Sequence, residues 1–344
     1  MFNYTVEMKD SNISWIGEIP ENWNIYSLKH VVNEFIAGGT PISSNDEFWD
    51  DNNGIPWVAI GDMNDGGYIN STTKSITHEG LVDKNLRILK KGTLIYSIFA
   101  SLGKTSILNI DATINQAILG LITSKKINDF YLKYYLEALK STISSYSNEN
   151  TQENLNSNIV KNMEIAMPTS LEIQGNIANY LDKQTNKINK SITKNIELIN
   201  LLEEKRTCLI NHVVTKGLDP DVPMKDSCVG WISEIPENYI NVKLKFLTSK
   251  IGSGKTPKGG SEVYVSEGIP LLRSQNINFD SIKLDDVVYT IEEQKRIVSF
   301  LEQEINIIYE SVNRVKEVIS LLEEYKTSLV YHVVTGKIDI NNGA

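Results

Sequence analysis

The run Gly-Ser-Gly-Lys-Thr at Gly252–Thr256 is the stretch of this chain whose residue types most directly suggest chemistry. Backbone amides of glycine followed by lysine and threonine are the parts of a phosphate cradle. A Walker A loop also needs a glycine five residues before Gly254 and a helix after the threonine; here the position is Ser249, and Thr256 runs into Pro257 and further glycines. Nucleotide binding is therefore the weaker reading. Backbone amides and a hydroxyl can still meet a nucleic-acid phosphate, which makes Lys255, Thr256 and Lys258 candidate DNA contacts beside the plainer reading of a surface turn.

The other reactive side chains form no constellation. Four histidines (His30, His78, His212, His332) and two cysteines (Cys208, Cys228) are scattered, without metal-ligand spacing or a disulfide framework. Asp62 and Asp65 have no partner at a spacing suited to acid–base work, and no nucleophile stands beside a base. The chain is thus expected to bind rather than to catalyse. A net charge of −9 argues against a surface coated for nonspecific nucleic-acid binding, but leaves room for a local basic patch: Lys84, Arg87, Lys90, Lys91 and Lys104.

These residues are carried by a duplicated text. MKDSNISWIGEIPENW at Met8–Trp23 returns as MKDSCVGWISEIPENY at Met224–Tyr239, and LLEEKRTCLINHVVTKG at Leu201–Gly217 returns as LLEEYKTSLVYHVVTGK at Leu321–Lys337. Trp15 matches Trp231 at an offset of 216, whereas His212 matches His332 at 120, so the second copy is 96 residues shorter. GIPWVAIGDMN at Gly54–Asn64 resembles GIPLLRSQNIN at Gly268–Asn278, which places the deficit after it: the second copy lacks a counterpart of roughly residues 77–170.

Each copy ends in a heptad seam. Leu301, Ile305, Ile308, Val312, Val315, Ile319, Leu322, Lys326, Leu329 and Val333 alternate steps of four and three, and the frame shifted back by 120 gives Leu181, Thr185, Ile188, Ile192, Asn195, Ile199, Leu202, Arg206, Leu209 and Val213. Thr169 with Glu172 and Thr290 with Glu293 suggest capping boxes at the helix starts, and Gly217 and Gly336 suit their ends. A helix of that length spans ~65 Å, too long for a small domain to bury, so the two are expected to pair antiparallel. The apolar residues Leu181, Ile188, Ile192, Ile199, Leu202 and Leu209 would face Leu301, Ile308, Val312, Ile319, Leu322 and Leu329.

Between Trp15 and Pro168, short apolar runs are broken by turn residues. GIPWVAIGDM, GTLIYSIFA, TSILNI and ATINQAILGLI read as strands, and FYLKYYLEALKSTISSY at Phe130–Tyr146 reads as a helix. The expected fold class is α+β: a globular domain and a long helix, then the same unit again with its globular part truncated. The boundaries fall at 1–168, 169–216, 217–290 and 291–344. No apolar run approaches the ~18 residues of a membrane helix and the N-terminus has no signal-peptide pattern, so no membrane partner and a cytoplasmic location are expected.

The repeated WIGEIPENW, the Gly-Gly-Thr-Pro loop at Gly38–Pro41, GIPWVAIGDM, GTLIYSIFASLGKT, the Ile-Asn-Gln-Ala segment and the helix entries PTSLEIQGNIANYLD and IEEQKRIVSFLEQ resemble the specificity subunit of a type I restriction-modification system, over nearly the whole chain. The resemblance implies two target recognition domains that each read half of a split site in double-stranded DNA, and two helices that set the spacing. It implies docking of two methyltransferase subunits, with a motor-nuclease subunit joining them. S-adenosylmethionine, ATP and Mg would sit on those partners, and this chain would bind no cofactor or metal. Candidate base contacts are Thr40, Ser101, Lys104, Asn115 and Gln116, with Lys84 and Arg87 on phosphates. The shortened second domain departs from the pattern. Self-association through the helices, replacement by a full-length specificity chain, and an inactive relic all remain open, as does a coiled-coil scaffold that binds only protein.

Overall fold

The computed structural model describes residues 7–50, 53–63, 67–99, 101–145, 155–248 and 292–340. The Gly252–Thr256 loop, with Lys255, Thr256 and Lys258, and the Thr290 cap lie outside them.

The first repeat opens with a hairpin of β1 (Met8–Asp10) and β2 (Glu18–Pro20), then β3 (Trp23–Ser27) and β4 (Val32–Ala37). There follow β5 (Ile55–Val58), β6 (Gly67–Ile69), β7 (Lys74–Ile76), α1 (His78–Asp83), β8 (Leu94–Ser97), β9 (Thr105–Leu108), β10 (Thr113–Ile114) and β11 (Ile118–Thr123). The domain closes with α2 (Asp129–Leu139), α3 (Ser157–Asn162) and β12 (Glu164–Pro168), and the chain enters the long helix α4 (Leu171–Lys216). The second repeat retains a hairpin, β13 (Met224–Val229) and β14 (Ile232–Pro236), and its helix α5 (Glu292–Val334).

A five-stranded sheet in the order β4-β11-β8-β9-β6 carries the first domain. Its inner strands β8, β9 and β11 are buried at successive positions because both faces are covered. Ile95 and Ile118 pack with Val58, Leu108 and Ile114 under the smaller sheet β10-β5-β7, while Leu94, Tyr96 and Leu119 face α2 and the ends of the long helices. The Ala112–Ile122 run breaks into two strands at Asn115–Ala117, where Asn115 accepts from the Ala117 amide through Oδ1 at 3.0 Å. The helix expected to reach Tyr146 stops as α-helix at Leu139 and tightens into a 3₁₀ turn over Lys140–Ser145. Its hydroxyl and β-branched residues there favour local backbone bonding, as in Thr142 donating to the Leu139 carbonyl at 2.9 Å. The N-terminal capping oxygen of α4 belongs to Ser170, not Thr169, and accepts from the Ile173 amide at 3.4 Å.

By internal contacts, residues 1–194 with 318–344 form one unit, and 195–317 a second. Within the first unit α4 and α5 run antiparallel: Lys326 Nζ donates to Asn189 Oδ1 at 3.1 Å near one end, while Ile173 and Ile177 share a cavity wall with Ile338 at the other. Within the second, Val214 near the end of α4 lines a cavity with Ile297 near the start of α5. Leu181, Ile188, Ile308, Val312 and Leu329 are buried, and Ile192, Ile199, Leu202, Leu209, Leu301, Ile319 and Leu322 are half-buried, whereas the neighbouring Leu201 and Leu321 are exposed. Thr185 does not sit idle in the seam. Its hydroxyl donates to the Leu181 carbonyl at 2.7 Å and lies 3.2 Å from the Tyr134 phenol, on the side facing the globular domain.

Helix α2 ties this assembly together through tyrosines. Tyr134 donates to Asp182 Oδ1 at 2.5 Å, and Tyr135 packs edge-on to Trp15 at 5.6 Å. Fully buried Tyr131 is placed to donate to the carbonyls of Ala166 and Val334. At the end of α5, Gly336 takes φ +73° and lies so close to Pro20 that a Cβ would collide with its ring and crowd Trp23.

The duplication is visible in backbone detail. Asn12 and Cys228 occupy equivalent positions, share φ 57°, and donate their amides to Asp10 and Asp226 carboxylates, both at 2.8 Å. Left-handed backbone suits asparagine better than cysteine, so the geometry is held by the shared aspartate turn.

Candidate nucleic-acid interface

One end of the five-stranded sheet gathers three loops. Leu119 pairs with Ala37 of β4, and Ile118 with Ser97 of β8, so the residues beyond them emerge together: Gly38–Pro41, Asn115–Ala117 and the Ser101–Lys104 turn. The Gly-Gly-Thr-Pro loop lies against the Ile114–Asn115 backbone, and a Cβ on Gly38 would overlap the carbonyl oxygens of both residues. The Gly39 amide donates to the Ile114 carbonyl at 3.0 Å.

The expected contact residues divide here. Thr40 and Gln116 are brought together, the Thr40 hydroxyl donating to Gln116 Oε1. With that oxygen engaged, Gln116 presents N–H donors, which suit an acceptor such as guanine O6 or N7, or a phosphate. Asn115 is turned to internal use: its amide donates to the Val58 carbonyl at 3.0 Å and its side chain caps Ala117. Ser101 holds φ 72° and accepts, through its carbonyl, from the buried Ser97 hydroxyl at 2.6 Å. That hydroxyl accepts in turn from the Lys104 amide at 2.8 Å, so a buried serine shapes the turn that carries Lys104.

Lys84 lies beside the Gly39 position, and Arg87 follows close in sequence. Acids accompany both: Lys84 is 3.3 Å from Asp83, and Arg87 donates to Glu34 at 2.5 Å. Lys90 pairs with Asp111 at 2.7 Å, and its hydrogen bond is the main reason the Asp111 carboxyl titrates below the usual carboxylate range. Three members of the basic cluster are thus charge-compensated within the chain.

Two tryptophans missed by sequence reasoning anchor the loop. Trp57 Nε1 donates to the Gly39 carbonyl at 2.9 Å and Trp49 Nε1 to the Ile42 carbonyl at 3.4 Å. Their rings meet edge to face at 5.2 Å, and Lys74 Nζ lies 5.1 Å from the Trp49 ring centre. Asp62 holds the neighbouring turn, accepting from the Ala59 amide at 2.9 Å through Oδ2 and from the Thr73 amide at 3.0 Å through Oδ1. Among the described residues no cluster of His, Cys, Asp or Glu could hold a metal ion, and no helix is long and apolar enough to cross a membrane.

The sequence profile for the type I restriction modification DNA specificity domain matches residues 20–198, more than half of the chain and the whole of this loop-bearing sheet. The chain belongs to that family. The MjaIX specificity subunit of a type I restriction enzyme of Methanocaldococcus jannaschii is 29% identical over 189 residues, covering 53% of this chain and 42% of the relative. The putative MjaX specificity subunit from the same organism is 29% identical over 295 residues, or 80% of this chain and 64% of the relative. The HsdS subunit of Thermoanaerobacter tengcongensis aligns with a TM-score of 0.40 at 22% identity, over 52% of this chain and 40% of that one. This chain spans less than two thirds of the length of either curated relative.

Proposed function

We propose that this chain is a DNA sequence-recognition subunit of a type I restriction-modification complex, itself non-catalytic and cytoplasmic. It directs methyltransferase subunits to adenines in a split site and, with a motor-nuclease subunit, directs cleavage elsewhere. The observation that carries the reading is the convergence of the Gly38–Pro41, Ser101–Lys104 and Asn115–Ala117 loops at one sheet end, inside the stretch that matches the specificity-domain family.

In this reading residues 1–168 read one half-site and 169–216 form the spacer, while 217–290 are a truncated reader joined to the distal helix 291–344. Gln116 and Lys104 face bases or phosphates, and Lys84 and Arg87 exchange Asp83 and Glu34 for phosphates on binding. Lys255, Thr256 and Lys258 belong to the equivalent loop of the second copy. S-adenosylmethionine, ATP and Mg are held by the partners.

The test is co-expression with the cognate methyltransferase subunit, followed by genome-wide mapping of methylated adenine. A split palindromic motif means that two first domains read together; an asymmetric split motif means that the second copy also reads. An intact complex that methylates no motif would overturn the reading in favour of a protein-binding scaffold.

A further inference from the structure

The two repeats differ most where the first is covered by the part the second lacks. Leu28 and Val31 are 1% and 0% exposed, yet their counterparts Leu244 and Leu247 are 66% and 61% exposed. Trp231 is 80% exposed, whereas its counterpart Trp15 packs on Tyr135 and Tyr331. Ala178 is 3% exposed and its counterpart Val298 is 50% exposed.

Tyr331 of α5 reaches Trp15; the other covering groups named here come from one stretch. The Leu28 amide donates to the Met163 carbonyl at 2.9 Å, β3 pairs with β12, and Tyr135 meets Trp15. Buried Gln174 accepts from the Asn128 amide at 2.7 Å and donates to the Pro168 carbonyl at 2.8 Å. All of these partners lie within residues 77–170, which have no counterpart in the second copy.

The second repeat keeps the receiving side. The hairpin β13-β14 repeats the three pairs of β1-β2 from Met224–Pro236 to Asp226–Glu234, Lys216 Nζ fastens it to the end of α4 through the Glu234 carbonyl at 2.8 Å, and Gln294 stands at the position of Gln174. A cavity of about 640 Å³ lies between Val214, Ile240 and Ile297, with Gln294 and Val298 on its wall. Residues 239–243, the counterpart of β3, are not a strand, whereas the 3₁₀ turn after them is kept at Leu244–Phe246. The receiving groups call for an extended segment to pair beside residues 239–243 and a capped helix to cover Trp231 and engage Gln294.

We propose that the second repeat is a socket completed in trans by a separate polypeptide that supplies the missing part of its recognition domain: an Asn-capped, tyrosine-bearing helix followed by a strand. The inference rests on the duplication and not on DNA reading, so it fails or stands apart from the function proposed above.

The test co-expresses the full chain with a tagged polypeptide of its own residues 77–170, alongside a chain carrying a second copy of 77–170 inserted between Thr290 and Ile291. Amide hydrogen exchange is read over residues 231–247. Co-purification with at least about tenfold slower exchange there, lost in Trp231→Asp, is the expected result. Protection in the inserted chain alone would refute completion in trans, and protection in neither would refute the socket. Protection confined to residues 15–31 would mean that the polypeptide had replaced the first repeat's own segment. Slow exchange over 231–247 in the lone chain as a dimer would assign the face to a second copy; both results overturn the proposal.

Discussion

The phenolic oxygen of Tyr131 lies 3.1 Å from the carbonyl oxygen of Val334, a residue 203 positions later. The same hydroxyl is 2.9 Å from the Ala166 carbonyl, so one proton serves two acceptors, one on β12 and one at the end of α5. The first globular domain is therefore fastened to the helix of the second repeat as well as to its own. Leu329, Val330, Val333 and Val334 all belong to its core.

Tyr131→Phe keeps the ring packing against Trp23 and removes this proton, leaving two buried carbonyls short of a donor. A loss of about 1–3 kcal/mol is expected in denaturant unfolding. A change under ~0.3 kcal/mol would show that the bond contributes nothing.

Stability should fall at alkaline pH. Burial, and then the charge of Tyr135, raise the Tyr131 phenol well above its ordinary value; burial, and then the Asp182 hydrogen bond, raise Tyr134. A raised folded-state pKa means that this stability is fully present below the unfolded phenol value of about 10 and is lost as pH rises beyond it. Unfolding free energy measured from pH 8 to 11 should bend downward near 10. Tyr134→Phe should soften the bend, and an unchanged profile would contradict the burial-driven shift.

Asp62→Ala removes the acceptor for the Ala59 and Thr73 amides and the Thr73 hydroxyl. Local exchange at Ala59 and Thr73 should rise with a cost of about 1–2 kcal/mol. The turn sits beside the loop-anchoring Trp57, so half-site affinity should weaken with it.

Glu34→Gln removes the charge opposite Arg87. The partner-bound complex should then bind DNA more tightly at low salt and lose affinity more steeply with added salt, by about 0.9 in slope for one further phosphate. An unchanged salt slope would place Arg87 away from the DNA.

Thr40→Val releases Gln116 Oε1, so the amide can turn and offer an acceptor as well as a donor. Discrimination at one base pair of the half-site should relax by about 1–3 kcal/mol, read as degeneracy at that position in a methylation map. Degeneracy at no position would leave the pair as a purely structural clasp.

The duplication, the long antiparallel helices and the strands of the first domain were legible because repeats and apolar periods are written locally in the chain. The pairing of Thr40 with Gln116 was not, since it depends on β4 and β11 lying side by side. Nor were the acids that accompany the basic residues: Glu34 and Arg87 are 53 positions apart, and only the sheet brings them together. The helix start moved by one residue to Ser170 because two adjacent hydroxyl residues compete for the same capping role. Trp49 and Trp57 went unread as loop anchors because an indole N–H seeking a backbone carbonyl has no sequence spacing of its own.

The Tyr131–Val334 link also orders events during synthesis. Residues 7–145 leave the ribosome long before residues 329–334, so the first domain spends most of translation with one wall of its core missing. It can complete that core only when the last turn of α5 arrives. A stop introduced upstream of Leu329 would therefore harm the start of the protein as much as its end.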